Sequence, residues 1–191
     1  MNNKIICTSP NILNYELITR FFINNIMELP KLETITLNFG FLHNLNNKKQ
    51  IIPALVALNL ISSQNGVPAK SKKQIYNYKI RKGMIVGAFC TLRNKKMNLF
   101  FENFLKLDFL KNENNLFFKD NQSVKNMPSL TVTIKNLNIF PELESKHQLF
   151  KQLGSLNITF VFKNTPIIKK NFFVVKLILD SLTFPIVFRR K

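Results

Sequence analysis

A chain of 191 residues that is 46% hydrophobic and 20% charged can bury one sizeable core. This excludes a disordered basic tail and leaves little room for several domains. The formal net charge of +18 points to a polyanionic partner, either nucleic acid or an anionic membrane surface. Two cysteines, Cys7 and Cys90, exclude a disulfide framework, and no apolar run approaches the roughly 20 residues that span a bilayer.

Residue usage is skewed as well. Lys outnumbers Arg by 23 to 5, Asn occurs 26 times and Phe 19 times, against 5 Gly, 4 Ala and no Trp. The abundant residues have AT-rich codons, so the skew is the signature of an AT-rich organellar genome or a reduced endosymbiont. The N-terminus fits neither a signal peptide nor a transit peptide, and a chain working in an organelle would then be made there.

In chain order, Ser9-Pro10 opens a helix whose apolar stripe, from Leu13 to Met27, is stopped by Pro30. Leu32–Phe39 alternates, with Ile35, Leu37 and Phe39 on one face and Thr34, Thr36 and Asn38 on the other, and predicts a half-buried strand ended by Gly40. Apolar spacing predicts a helix over 51–62, provided that Pro53 lies in its first turn. Gln64-Asn65-Gly66 then turns the chain. A strand follows over 85–93, and Met97, Phe101, Phe104 and Leu105 mark a helix over about 95–110. Residues 111–128 read as a long polar loop. Leu130, Val132 and Ile134 alternate as one strand, and Leu156, Ile158, Phe160 and Phe162 as another. A last helix runs from Thr165-Pro166 to Leu182, and 184–191 form a basic tail. The expected fold is a single α+β domain: an antiparallel or mixed sheet, helices on one face, and an open Thr/Asn/Lys face.

Residues 64–97 are the most unusual stretch. They hold nine basic residues, Lys70, Lys72, Lys73, Lys79, Arg81, Lys82, Arg93, Lys95 and Lys96, and no acidic one. No Asp or Glu occurs anywhere between Glu33 and Glu102. A polyanion lying against this surface would account for the gap, because each carboxylate there would repel it. In the strand over 85–93, Ala88, Cys90 and Leu92 form an apolar side. Phe89, Thr91 and Arg93 give the other side an aromatic, a hydroxyl and a guanidinium suited to RNA.

Catalysis finds no support. His43 and His147 lack partners at metal-ligand spacing, no Gly-rich phosphate loop is present, and Glu142 and Glu144 read as solvated carboxylates beside a Pro turn. No cofactor is expected. A peripheral membrane-binding basic protein is the alternative class, although the cations cluster on a loop and a strand rather than on one helix face.

Five segments in order resemble a known family: LPKLETITLNFG, ISSQNGVPAKSKKQIYNYKIRKG, GAFCTLRNKKM, NIFPEL, and FP before a basic end. They are similar to pieces of the bacterial-type large-subunit ribosomal protein five, namely P-x-x-x-x-I-T-L-N-x-G, S-G-Q-x-P followed by K-A-R-K-S-x-A-x-F-K-I-R-x-G, K-V-T-L-R-G-x-x-M and I-F-P-E. The match covers most of residues 27–163. It implies a protein of the central protuberance that binds large-subunit rRNA, and 5S rRNA where the ribosome retains it. It also implies contact with the P-site tRNA through a mobile basic loop at about 70–82, and with neighbouring ribosomal proteins including one in the small-subunit head. The family's RNA-contact positions fall on Asn38, Gln64, Arg81 and Thr91, and its loop Phe on Tyr78. With Lys70, Lys72, Lys73, Lys79, Lys82 and Arg93 these are the candidate RNA-binding residues. The expected location is a mitochondrial ribosome in the matrix, with a plastid or an endosymbiont cytoplasm as the alternative. Departures are Gly66 for the motif's Pro, Asn94 for its Gly, no counterpart of the family's Arg-Asp-Phe-Arg-Gly segment in a divergent 109–128, and a Phe/Val-rich 167–182 in place of an acidic helix.

Overall fold

The computed structural model describes residues 18–19, 22, 25–29, 31–41, 50–107, 116–120 and 129–163. Among them, six strands form one antiparallel sheet: β1 (Leu32–Gly40), β2 (Val67–Lys70), β3 (Ile85–Leu92), β4 (Leu116–Asp120), β5 (Ser129–Ile134) and β6 (Leu156–Phe162), in the order β2-β3-β1-β6-β5-β4. The helices are α1 (Ile51–Ser62), α2 (Asn94–Leu105) and the single turns α3 (Pro141–Glu144) and α4 (His147–Phe150). The fold is α+β, as the periodicities predict, and every strand pair is antiparallel.

Alternation in the sequence becomes alternation in burial. Ile35, Leu37 and Phe39 of β1 are buried, while Thr34 and Thr36 are half-buried and Asn38 is exposed. β5 and β6 repeat the pattern, with Leu130, Val132, Ile134, Leu156, Ile158, Phe160 and Phe162 inside. Register then aligns the inner residues across the sheet: Leu37 lies opposite Cys90 on one side and Ile158 on the other, and Ile35 opposite Leu92 and Phe160. Such an apolar face must be covered. α1 buries Ala54, Ala57 and Leu58 in the same core, and α2 buries Met97, Phe100 and Phe104. Phe104 and Phe101 both pack on Phe160 with centroids 5.9 Å away, Phe101 edge-on at 74°.

The helix boundaries have local causes. Pro53 is the third residue of α1, inside the first turn, where its missing N–H breaks no ladder bond. α1 ends at Ser63 in the left-handed region (φ 52°), whose N–H donates to the Asn59 carbonyl. α2 starts at Asn94, also left-handed at φ 52°. Both positions are Gly in the family motifs quoted above, and Asn is the side-chain residue that tolerates this conformation best.

Several expectations need correction. The periodicities give no sign of β2: four residues containing Pro68 carry no alternation, and only pairing with β3 makes them a strand. The loop predicted over 111–128 contains β4, which pairs with β5 from Leu116↔Ile134 to Asp120↔Leu130. α2 stops at Leu105 rather than near 110, capped at Lys106. The turns α3 and α4 were also missed, being too short to show a period. The helix predicted up to Met27 lies largely outside the described residues; 18–19 are helical, and Ile26–Glu28 is a 3-10 turn. The helix over 165–182 and the tail over 184–191 lie outside them entirely.

Candidate nucleic-acid interface

On the sheet face away from α1 and α2 the strand registers build two rows. Thr91, Thr36, Thr159 and Thr131 lie side by side across β3, β1, β6 and β5. The next row runs Val67, Phe89, Asn38, Asn157 and Thr133 from β2 to β5. Directly opposed residues on one face are about 5 Å apart, so hydroxyls and amides of adjacent strands can meet. On β5 and β6 they do. The Thr131 and Thr159 hydroxyls are 3.1 Å apart, and Thr133 donates to Asn157 Oδ1 at 2.9 Å. On β1 and β3, the side chains of Thr36, Asn38 and Thr91 make no hydrogen bond among the described residues. Among the described residues the strip is therefore internally satisfied at one end and has side chains without internal partners at the other.

Gly87 shapes this second end. A Cβ there would lie 2.5 Å from the Phe39 carbonyl oxygen, closer than any real side chain sits. Its absence lets β1 and β3 approach beside Asn38. Phe89, next to Asn38, is 38% exposed and puts an aromatic edge on the same face.

Gln64 sits at the rim by another route. Its Nε2 donates to the Thr91 carbonyl at 3.2 Å, beyond the last β2 pair at Val67↔Phe89, so a side-chain amide stands in for the strand that has ended. This commitment was not legible in the sequence. We expect Gln64→Ala to cost about 0.5–1.5 kcal/mol, the net worth of one hydrogen bond. The thermal midpoint then falls by a few degrees, about 2–4 °C per kcal/mol for a chain of this size.

The basic loop links β2 to β3. Its base is closed by Ser71 N–H to the Met84 carbonyl (2.8 Å) and Gly83 N–H to the Ser71 carbonyl (2.9 Å). Gly83 has φ 84°, a value that suits only glycine there. Near the tip, Ile75 and Ile80 exchange N–H···O bonds of 3.0 and 3.1 Å around the 3-10 turn Tyr76–Tyr78. Lys70, Lys72, Lys73, Lys79, Arg81 and Lys82 are all exposed, and Tyr78 is 60% exposed.

These residues do not converge on a point. Thr91, Gln64 and the exposed Arg93 lie at one end of β3 and the loop at the other, about 20 Å apart from Ile85 to Thr91 at the usual strand rise. Asn38, opposite Phe89, lies between them. Arg81 belongs with the loop, away from Thr91. The arrangement is a strip with cations at both ends, matched to an extended polyanion rather than a small ligand. Glu142, Glu144 and His147 are exposed on α3 and α4, in the connection between β5 and β6. Among the described residues no helix is long and apolar enough to cross a membrane.

Known proteins match this chain along most of its length. The family model described as Ribosomal protein L5 matches residues 25–81. The large ribosomal subunit protein uL5m of Reclinomonas americana is 34% identical over 152 residues, 78% of this chain and 82% of its own. The uL5c protein of Euglena longa is 34% identical over 147 residues (76% and 79%), and the uL5 protein of Cupriavidus taiwanensis 32% over 170 residues (89% and 90%).

Proposed function

The chain belongs to the ribosomal protein L5 family, and from that premise we propose which surface serves each of its partners. As a member it is a structural, non-enzymatic constituent of the large ribosomal subunit, with rRNA and ribosomal proteins as partners. In this reading the Thr/Asn strip binds large-subunit rRNA in the central protuberance, and 5S rRNA where the ribosome retains one. Asn38 and Thr91 face sugar 2′-hydroxyls and phosphates, and Arg93 holds the backbone at the rim. Lys70, Lys72, Lys73, Tyr78, Lys79, Arg81 and Lys82 on the loop reach the P-site tRNA, and a small-subunit head protein is a neighbour. The ribosome is mitochondrial and lies in the matrix, a location supported by the AT-rich residue usage and the likeness to an organellar uL5m.

The observation that carries this reading is the pairing of a cationic loop, in a chain without a carboxylate from 34 to 101, with a polar strip on the face opposite the helices. Co-sedimentation with large subunits in a sucrose gradient, followed by cross-linking to 5S rRNA and P-site tRNA, tests it. Recovery of the protein only with membranes would overturn it.

Asn38 offers a sharper test on one side chain. It is exposed on the strip and makes no hydrogen bond within the described fold. Asn38→Ala should therefore weaken specific rRNA binding by about 1–3 kcal/mol, the value of a well-placed hydrogen bond to a charged group, and leave the melting midpoint unchanged. A lowered midpoint with intact affinity would make Asn38 a structural residue of the turn at Gly40.

A further inference from the structure

The tip of the basic loop carries a second aromatic side chain that the family motif does not contain. In that motif the aromatic position falls on Tyr78, and the position two residues earlier is Ala; this chain has Tyr76 there. Tyr76 is 81% exposed, more than Tyr78 at 60%. The turn that carries them is closed: Lys79, left-handed at φ 55°, donates its N–H to the Tyr76 carbonyl at 3.0 Å, above the Ile75–Ile80 bridge. In a 3-10 turn successive residues are rotated by about 120°, so side chains two apart point in different directions. Neither ring stacks on another aromatic among the described residues. The tip thus holds out two separate π-faces, in different directions, on a hairpin studded with six cations. One base cannot be clamped between them. Exposed aromatics among cations and without carboxylates are what an unpaired nucleic-acid strand recognises, since rings stack on bases while ammonium groups hold the phosphates.

We infer that Tyr76 is a base-stacking residue in its own right, taking an unpaired nucleobase at the loop tip other than the one served by Tyr78. The inference rests on the RNA-binding reading above. The cations hold the intervening phosphates, so the tip engages a single-stranded or looped segment in preference to a regular duplex, whose bases are stacked on one another.

The chain suits a direct readout. It has three Tyr and no Trp, and two of the three Tyr are at this tip, so tyrosine emission reports the site without a brighter fluorophore masking it. The full-length protein is titrated with an oligoadenylate of about a dozen nucleotides, within the usual range of single-strand sites, and with an RNA duplex of equal length. Tyr76→Ala should bind the oligoadenylate about five- to 150-fold more weakly and lose part of the emission quenching. Those factors are about 1–3 kcal/mol per stacked base, expressed as affinity. Duplex binding and the melting midpoint should not change, and Tyr76→Phe should stay within about twofold of wild type. Because the two rings act on separate bases, the losses for Tyr76→Ala and Tyr78→Ala should multiply in the double variant. Wild-type behaviour of Tyr76→Ala toward both RNAs overturns the inference while leaving the cationic interface intact. If that variant also enters large subunits poorly, the ring contacts a protein instead. Absence of binding to either RNA by the wild-type chain overturns both this inference and the RNA-binding reading beneath it.

Discussion

Replacing Lys70, Lys72, Lys73 and Lys82 together with Ala should lower RNA affinity on the order of a thousandfold at about 0.1 M salt, and flatten its salt dependence. All four ammonium groups are exposed, so nothing in the fold depends on them. A lysine acts as a point charge whose binding energy comes largely from releasing counterions condensed on the phosphates. Each lost phosphate contact removes about 0.7–0.9 from the slope of log affinity against log salt, so four remove about 3. Extrapolated from the 1 M reference, a slope change of about 3 is a factor near a thousand at 0.1 M. The loss should be similar for all RNA sequences, because phosphate contacts carry no base information. Filter binding at four or five salt concentrations measures the slope directly. An unchanged slope would remove these lysines from the interface.

The largest effect on stability should come from Phe160→Ala, at about 3–5 kcal/mol. Phe160 is fully buried on β6, a strand flanked on both sides, and it pairs with Ile35 and Leu130 across the sheet. Phe101 meets it edge-on and Phe104 tilted, so removing the ring empties the junction between sheet and α2. Neither neighbour can fold into the gap without leaving its own contacts, and Phe104 also stacks on Phe100 at 5.8 Å. Against the 5–15 kcal/mol that holds typical domains together, such a loss is a large fraction. At about 2–4 °C per kcal/mol the midpoint should fall by about 6–20 °C, measurable by circular dichroism. A drop below about 2 °C would mean that the core tolerates the cavity and that α2 is not anchored through this ring.

What could be read from the sequence follows from how each element earns its shape. β1, β5 and β6 each bury one face, so burial is written into every second residue, and the predicted inner positions are the observed ones. α1 and the strand over 85–93 were legible for the same reason. β2 was not, because Val67–Lys70 owes its extended form to β3 and not to its own residues. β4 owes its place to β5 in the same way. Phe100 stacks on Phe104 in the core and Phe101, the expected core position, is only half-buried; a run of adjacent apolar residues does not fix the phase of a helix. At the candidate site, alternation puts Asn38 and Thr91 on the polar sides of their own strands, and the pairing of β1 with β3 puts those sides on one face. The donation from Gln64 to Thr91 depends on where β2 ends, a tertiary fact. The separation of Arg81 from Thr91 is likewise set by the length of β3, which places them at its two ends.

Among the described residues β2 forms one margin of the sheet, and a margin without a partner strand is an invitation for another chain to add itself. This one is poorly suited to that. It is only four residues long, Pro68 has no amide hydrogen to offer, and Lys70 opens a run of positive charge that a second copy would have to approach with the same charge. The features that make the margin hard to recognise as a strand therefore also disfavour edge-to-edge pairing of two copies through it.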